Sequence, residues 1–214
     1  MLSRIKAGNG DSVREAGLHG RPVVESIEVA VSTIRYAPWL RRLHWLIALL
    51  VACALVLIEI RGWFPRGSAW RGGVKWAHMQ FGMAVLLLMV PRLLVRARTA
   101  VPPISPRPPR WQDMLSKLVH LAVYLLAFAV PLLGVAMMFV AGKPWNLLGL
   151  PLPVLGAADR DLAHRIEAIH ETAGNVLMWL AIAHVAAALF HHYVQRDDTL
   201  LRMLSGRRGE SGRY

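Results

Sequence analysis

Seven of the chain's nine histidines, His44, His78, His120, His170, His184, His191 and His192, lie in or beside runs of Ala, Leu, Val and Ile. The stretch IHETAGNVLMWLAIAHVAAALFHHYV alone, residues 169–194, carries four of them. Imidazole ligates metals and exchanges protons near neutral pH. An ionisable group inside an apolar segment is costly enough to be a functional hypothesis by default. A lone membrane histidine often does no more than hydrogen-bond a neighbouring helix, so it is the pattern of several that must carry an argument. His170 and His184 are 14 residues apart. On a helix that places them within about 40° of one face and roughly 21 Å apart along the axis.

The elements that would position these rings follow from composition. The chain has 214 residues, 55% of them hydrophobic, and contains four uncharged apolar runs, Leu43–Ile58, Trp76–Pro91, Leu118–Val140 and Thr172–Val194. The last two are 23 residues long, about 35 Å as helix and enough to cross a hydrocarbon core of about 30 Å. The expected fold is an all-α integral membrane protein, a four-helix bundle. Helix one starts at Pro38, helix two runs from about Val74 to Val95, helix three from Trp111 to Val140, and helix four from an Asp159 N-cap to about Gln195. TAVPPISPRPPRW reads as a Pro-rich linker, and GKPWNLLGLPLPVLGAADRD as a long loop with room for an interfacial segment. Residues 1–35 read as a polar, mobile extension, 36–204 as the membrane domain and 205–214 as a basic tail.

With four spans, both termini share one side with the loop between spans two and three. Those segments hold eighteen of the 25 Lys and Arg residues, against seven in the two opposite loops. The positive-inside rule then puts both termini on the cytoplasmic side of the membrane. The net charge of +12 is therefore mostly topology, and no soluble basic face for nucleic acid is evident. Cys53 is alone, and no C-x-x-C-H motif for covalent haem attachment occurs.

On these helices the histidines pair by depth. His78 enters helix two level with His170, and His44 enters helix one level with His184, so each half of the membrane receives two imidazoles from two helices. Such pairs suit two bis-His b-type haems, whose iron needs two axial nitrogens and whose rim is apolar. A small residue follows each proposed ligand by one turn, Ala48, Gly82, Gly174 and Ala188, leaving room for a flat macrocycle. His120 is followed by Tyr124 instead, which counts against it as a ligand. Zinc would want three or four clustered ligands including Cys or carboxylate. His191, seven residues beyond His184, shares its face about 10 Å further along. It is too distant to ligate the inner haem, and suits either protonating a quinone carbonyl or snorkelling at the interface among Tyr193 and Arg196. His192 points about 80° away, and His164 reads as solvated.

Taken together, LHWLIALLVACALVLIEIRGWFPRG, HMQFG with LMVPRLL, HLAVYLLAFAVPLLGVAMM, GKPWNLLGL and HETAGNVLMWLAIAHVAAALFHHY resemble the bacterial cytochrome b561 family, in particular its small superoxide oxidases. The resemblance covers about Tyr36 to Leu204. It implies bis-His pairs on His44 with His184 and His78 with His170, a quinone-site histidine on His191, and passage of electrons from periplasmic superoxide to ubiquinone. Arg61, Arg66, Arg71, Lys75 and Lys143 could steer a small anion, although interface anchoring is the simpler role for Arg66 and Arg71. Two other functions stay open: the membrane subunit of a dehydrogenase or hydrogenase, with a redox partner protein, and a non-redox metal or proton transporter.

Overall fold

The computed structural model describes residues 35–147, 149–154 and 157–204. The extension expected over 1–35, Arg35 apart, and the basic tail expected over 205–214 lie outside the described residues. Four long helices dominate: α1 (Pro38–Ile60), α2 (Ala69–Arg98), α3 (Arg110–Val140) and α4 (Arg160–Phe190). Each is long and apolar enough to cross a membrane. Their starts follow local chemistry. Pro38 occupies the first turn of α1, where its missing N–H costs nothing. Ser68 caps α2 by accepting the Arg71 N–H at 3.2 Å, and Asp159 caps α4 by accepting the Leu162 N–H at 2.9 Å.

Helix two begins five residues earlier than the expected Val74, so Ala69–Gly73 belong to it rather than to the turn. Gly72 and Gly73 argue against helix by about 1 kcal/mol each. The Ser68 cap offsets this, together with Arg71, whose Nη1 donates to the carbonyls of Arg61 and Phe64 at 3.0 Å. The long loop is not merely irregular. It carries an antiparallel ribbon, β1 (Trp145–Leu147) with β2 (Leu150–Leu152), in register Asn146 opposite Pro151. Trp76 Nε1 donates to Asn146 Oδ1 at 3.1 Å and Gln80 Nε2 to the Asn146 carbonyl at 2.9 Å, tying the ribbon to α2. Helix four stays α-helical only to Phe190, and His191–Gln195 form a π turn.

The helices pack as two pairs, α1 on α2 and α3 on α4, which meet chiefly through α2 and α3. Ile47, Val85, Met89 and Ala127 form the buried core where α1, α2 and α3 meet. The outward faces are apolar and exposed, as at Leu49, Val56, Leu125, Trp179 and Val185, which suits contact with lipid chains. One end of the bundle holds the α1–α2 turn and the ribbon; it is called the hairpin end. At the opposite, terminal end, the segment after α4 folds back beneath the helices. Arg202, 4% exposed, donates to the Pro102 carbonyl and lies 5.5 Å over the Tyr36 ring. Asp198 accepts the Ser105 N–H at 3.1 Å, and Trp45 Nε1 donates to the Met203 carbonyl at 2.9 Å.

Candidate functional site

His78 on α2 and His170 on α4 face one another at the hairpin end, with ring centroids 6.2 Å apart and planes at 88°. Each ring is fixed by a neighbouring helix. His78 Nδ1 lies 2.8 Å from the Ala54 carbonyl, and His170 Nδ1 lies 2.8 Å from the Val130 carbonyl. A carbonyl only accepts, so both Nδ1 atoms carry a proton, and in the neutral rings the lone pair is left on Nε2. This arrangement orients metal-binding imidazoles and sets their tautomer. A cavity of about 280 Å³ lies beside the pair, lined by both rings and by Gly82, Gly134 and Gly174. Around Gly82 and Gly174 a Cβ would meet nothing within 4 Å, so these backbones border open space. At Gly134 a Cβ would stand 3.2 Å from His170 Cε1, so the bare backbone lets that ring approach α3.

At the terminal end, His44 on α1 and His184 on α4 have centroids 6.3 Å apart at 78°. His120 also reaches this end, its ring 5.3 Å from His184 at 81°. Its Nδ1–H donates to the Ser116 carbonyl of its own helix at 2.6 Å, rather than to another helix. Arg92 lies 5.5 Å over Tyr124.

The ring spacings can be compared with what one iron would need. A metal–imidazole bond is about 2 Å. Each centroid lies about 1 Å beyond its nitrogen, so imidazoles on opposite faces of one metal sit with centroids about 6 Å apart. Both depth-matched pairs have this spacing, and the glycines leave room for a flat group beside the hairpin-end pair. The residues therefore fit b-type haem. Among the described residues no three His, Cys, Asp or Glu side chains are grouped to hold a metal ion, which removes the usual zinc arrangement.

Beyond this, His191 opens the π turn with its side chain 21% exposed, and its Nδ1 lies 2.5 Å from Asp197 Oδ2. His192 instead packs edge-on against Tyr193 at 4.8 Å. His164 is exposed, with Nδ1 3.5 Å from Glu167. Of the five outer cations, Arg61 and Lys75 line the hairpin-end cavity beside Glu59, Glu167 and Glu171. Arg71 pins the α1–α2 turn as an anchor would, and neither Arg66 nor Lys143 lines the cavity. Sequence reasoning missed Gly134 and Asp197. The available signals were a lone glycine in the PLLG of an apolar run and an acidic pair just past the helix end.

Comparison with known proteins places the chain in a family. The prokaryotic cytochrome b561 family matches residues 35–206. Cytochrome b561 homolog 1 of Escherichia coli K12 is 41% identical over 166 residues, 78% of this chain and 94% of the relative. The probable superoxide oxidase CybB of Yersinia pestis is 39% identical over 167 residues, covering 78% and 94%. Cytochrome b562 of Cereibacter sphaeroides is 32% identical over 169 residues, covering 77% and 92%. With four membrane-length helices and paired imidazoles between them, the chain belongs to the prokaryotic cytochrome b561 family, bacterial membrane cytochromes that bind b-type haem.

Proposed function

We propose that this cytochrome oxidises superoxide on the periplasmic side of the inner membrane and reduces ubiquinone near the cytoplasmic side. In balance, two superoxide anions, one ubiquinone and two protons become two dioxygen molecules and one ubiquinol. The observation that carries the reading is the pair of imidazole pairs at 6.2 and 6.3 Å, one toward each end of the bundle. His78 with His170 would hold one haem, and His44 with His184 a second. Bound there, two b haems supply one-electron relay between the two membrane faces. The hydrogen bonds to Ala54 and Val130 hold Nε2 of His78 and His170 ready for iron. Arg61 and Lys75 are the cations a small anion would meet at the hairpin-end cavity, where Glu59, Glu167 and Glu171 also stand. His191, with Nδ1 engaged, offers Nε2 to a quinone carbonyl.

The positive-inside count puts the terminal end in the cytoplasm, and residues 36–204 form the di-haem unit. The superoxide assignment draws on the name of the Yersinia relative. The test uses the full chain in detergent or nanodiscs. Pyridine haemochrome quantitation should give two non-covalent haems, a superoxide pulse should reduce them, and added ubiquinone should reoxidise them. One haem or none per chain would overturn the reading. Reduction only in the presence of a co-purified dehydrogenase would reassign the donor to a partner protein.

A further inference from the structure

Asp197 is 5% exposed, and its two oxygens go to different donors. Oδ2 takes the Nδ1–H of His191, and Oδ1 takes the Thr199 N–H at 2.9 Å. Burial pushes the carboxyl pKa up. The hydrogen bonds from His191 and Thr199 outweigh that and hold it below the ordinary carboxylate value, so the group is charged at neutral pH. The backbone that brings it there is unusual. The π turn places His191 where its carbonyl accepts the Asp197 N–H at 3.2 Å, and single π turns concentrate at functional sites. Arg196, between them, sits at φ 55°, a left-handed conformation costing a non-glycine residue about 1 kcal/mol. The turn is then fastened by Asp198 to Ser105 and by Arg41, whose Nη1 donates to the Leu204 carbonyl at 2.7 Å.

We infer that Asp197 is the positioning residue of His191, holding one proton on Nδ1 so that Nε2 alone faces the quinone carbonyl. The inference rests on the quinone reading above. His191 in its two-proton form passes the Nε2 proton to the quinone oxygen as the quinone takes up its electron. It keeps the Nδ1 proton against Asp197, and water on that side restores the one on Nε2. The carboxylate gives up nothing; it sets the tautomer, as carboxylates do behind working histidines.

A purely structural Asp197 would only finish the helix, and asparagine separates the two roles. Its oxygen can still accept from Thr199, while its amide would donate to Nδ1 and move the neutral-ring proton to Nε2. The experiment combines ¹⁵N NMR of histidine-labelled protein in nanodiscs with stopped-flow reoxidation of the reduced protein by a short-chain ubiquinone, using His191→Ala for assignment. Wild type should carry its neutral-form proton on Nδ1. Asp197→Asn should carry it on Nε2, with unchanged haem spectra and reoxidation slowed about 10–100-fold. Asp197→Glu should recover part of the rate, and Asp113→Asn, at an exposed carboxylate on α3, should react like wild type. A wild-type proton on Nε2 overturns the proposal whatever the variants do. Slow reoxidation in His191→Ala beside a normal rate in Asp197→Asn overturns it alone and leaves the quinone reading standing. A normal rate in His191→Ala removes both.

Discussion

At the hairpin end each histidine of the pair is held from behind by a different helix, His78 by Ala54 of α1 and His170 by Val130 of α3. At the terminal end the pair is crowded by a third ring, since His120 lies nearer to His184 than His44 does, 5.3 Å against 6.3 Å. Beyond it comes a histidine with a buried carboxylate. In the first arrangement both Nδ1 atoms are committed to backbone carbonyls and a space bordered by glycines lies beside the rings, which under the proposed function suits holding a flat electron-relay group. The second adds a third imidazole and, beyond it, a histidine hydrogen-bonded to a carboxylate on the segment returning from α4, which under the proposed function suits chemistry that consumes protons. Under the proposed function, one scaffold would carry the same side chain in two roles, with the surroundings deciding which.

The sharpest way to break this comparison is to remove a ligand. His170→Ala or His78→Ala should abolish one low-spin haem and leave the other, read as a halved haemochrome signal. Two normal haems in either variant would end the pairing. Next come the small residues. Gly174→Leu fills open space beside His170 with a branched side chain, and Gly134→Val presses on a ring already 3.2 Å from a Cβ position. At Gly134 such overpacking costs about 1–3 kcal/mol, whereas at Gly174 the new side chain would compete with whatever group fills the open space. The hairpin-end spectrum should shift or vanish while the terminal-end spectrum stays. Equal disturbance of both would mean that the two ends are not independent.

These two experiments also mark what could be read from the sequence. Span number, the Pro38 start, the Asp159 cap and the depth matching of His44 with His184 and of His78 with His170 rest on local composition and helical spacing, which survive folding. The ribbon, the π turn and the return of Asp197 onto His191 do not. Each depends on where a distant or reversing segment is docked: the ribbon on Trp76 and Gln80 of α2, the π turn on the fastening of residues 197–204. The role of Gly134 was hidden for the same reason, because its partner His170 lies 36 residues away on another helix. Helix spacing alone did not place the His120 ring against His184, nor its Nδ1 on Ser116 of its own helix.

A smaller effect tests the charge at the hairpin end. Reversing Arg61 and Lys75 together to glutamate should slow superoxide reduction of the haems about tenfold or more, and the wild-type rate should fall as salt rises. A rate indifferent to both would leave these cations as anchors only. The smallest change is expected at the third ring. His120→Phe keeps an aromatic edge against His184, and such contacts are worth about 0.5–1.5 kcal/mol, so both haem spectra should persist with slightly reduced thermal stability. Loss of the terminal-end haem would make His120 a ligand in place of His44 and redraw that half of the site.

The placement of His170 and His184 on α4 has a bearing on how the protein is made. Each ring pair takes one member from the last helix to leave the ribosome, and the turn that locks the terminal end comes later still. A nascent chain with three helices inserted therefore presents His44, His78 and His120 without their partners. Under the pairing proposed here, cofactor capture awaits insertion of the fourth helix, so a chain interrupted before residue 170 would reach the membrane colourless.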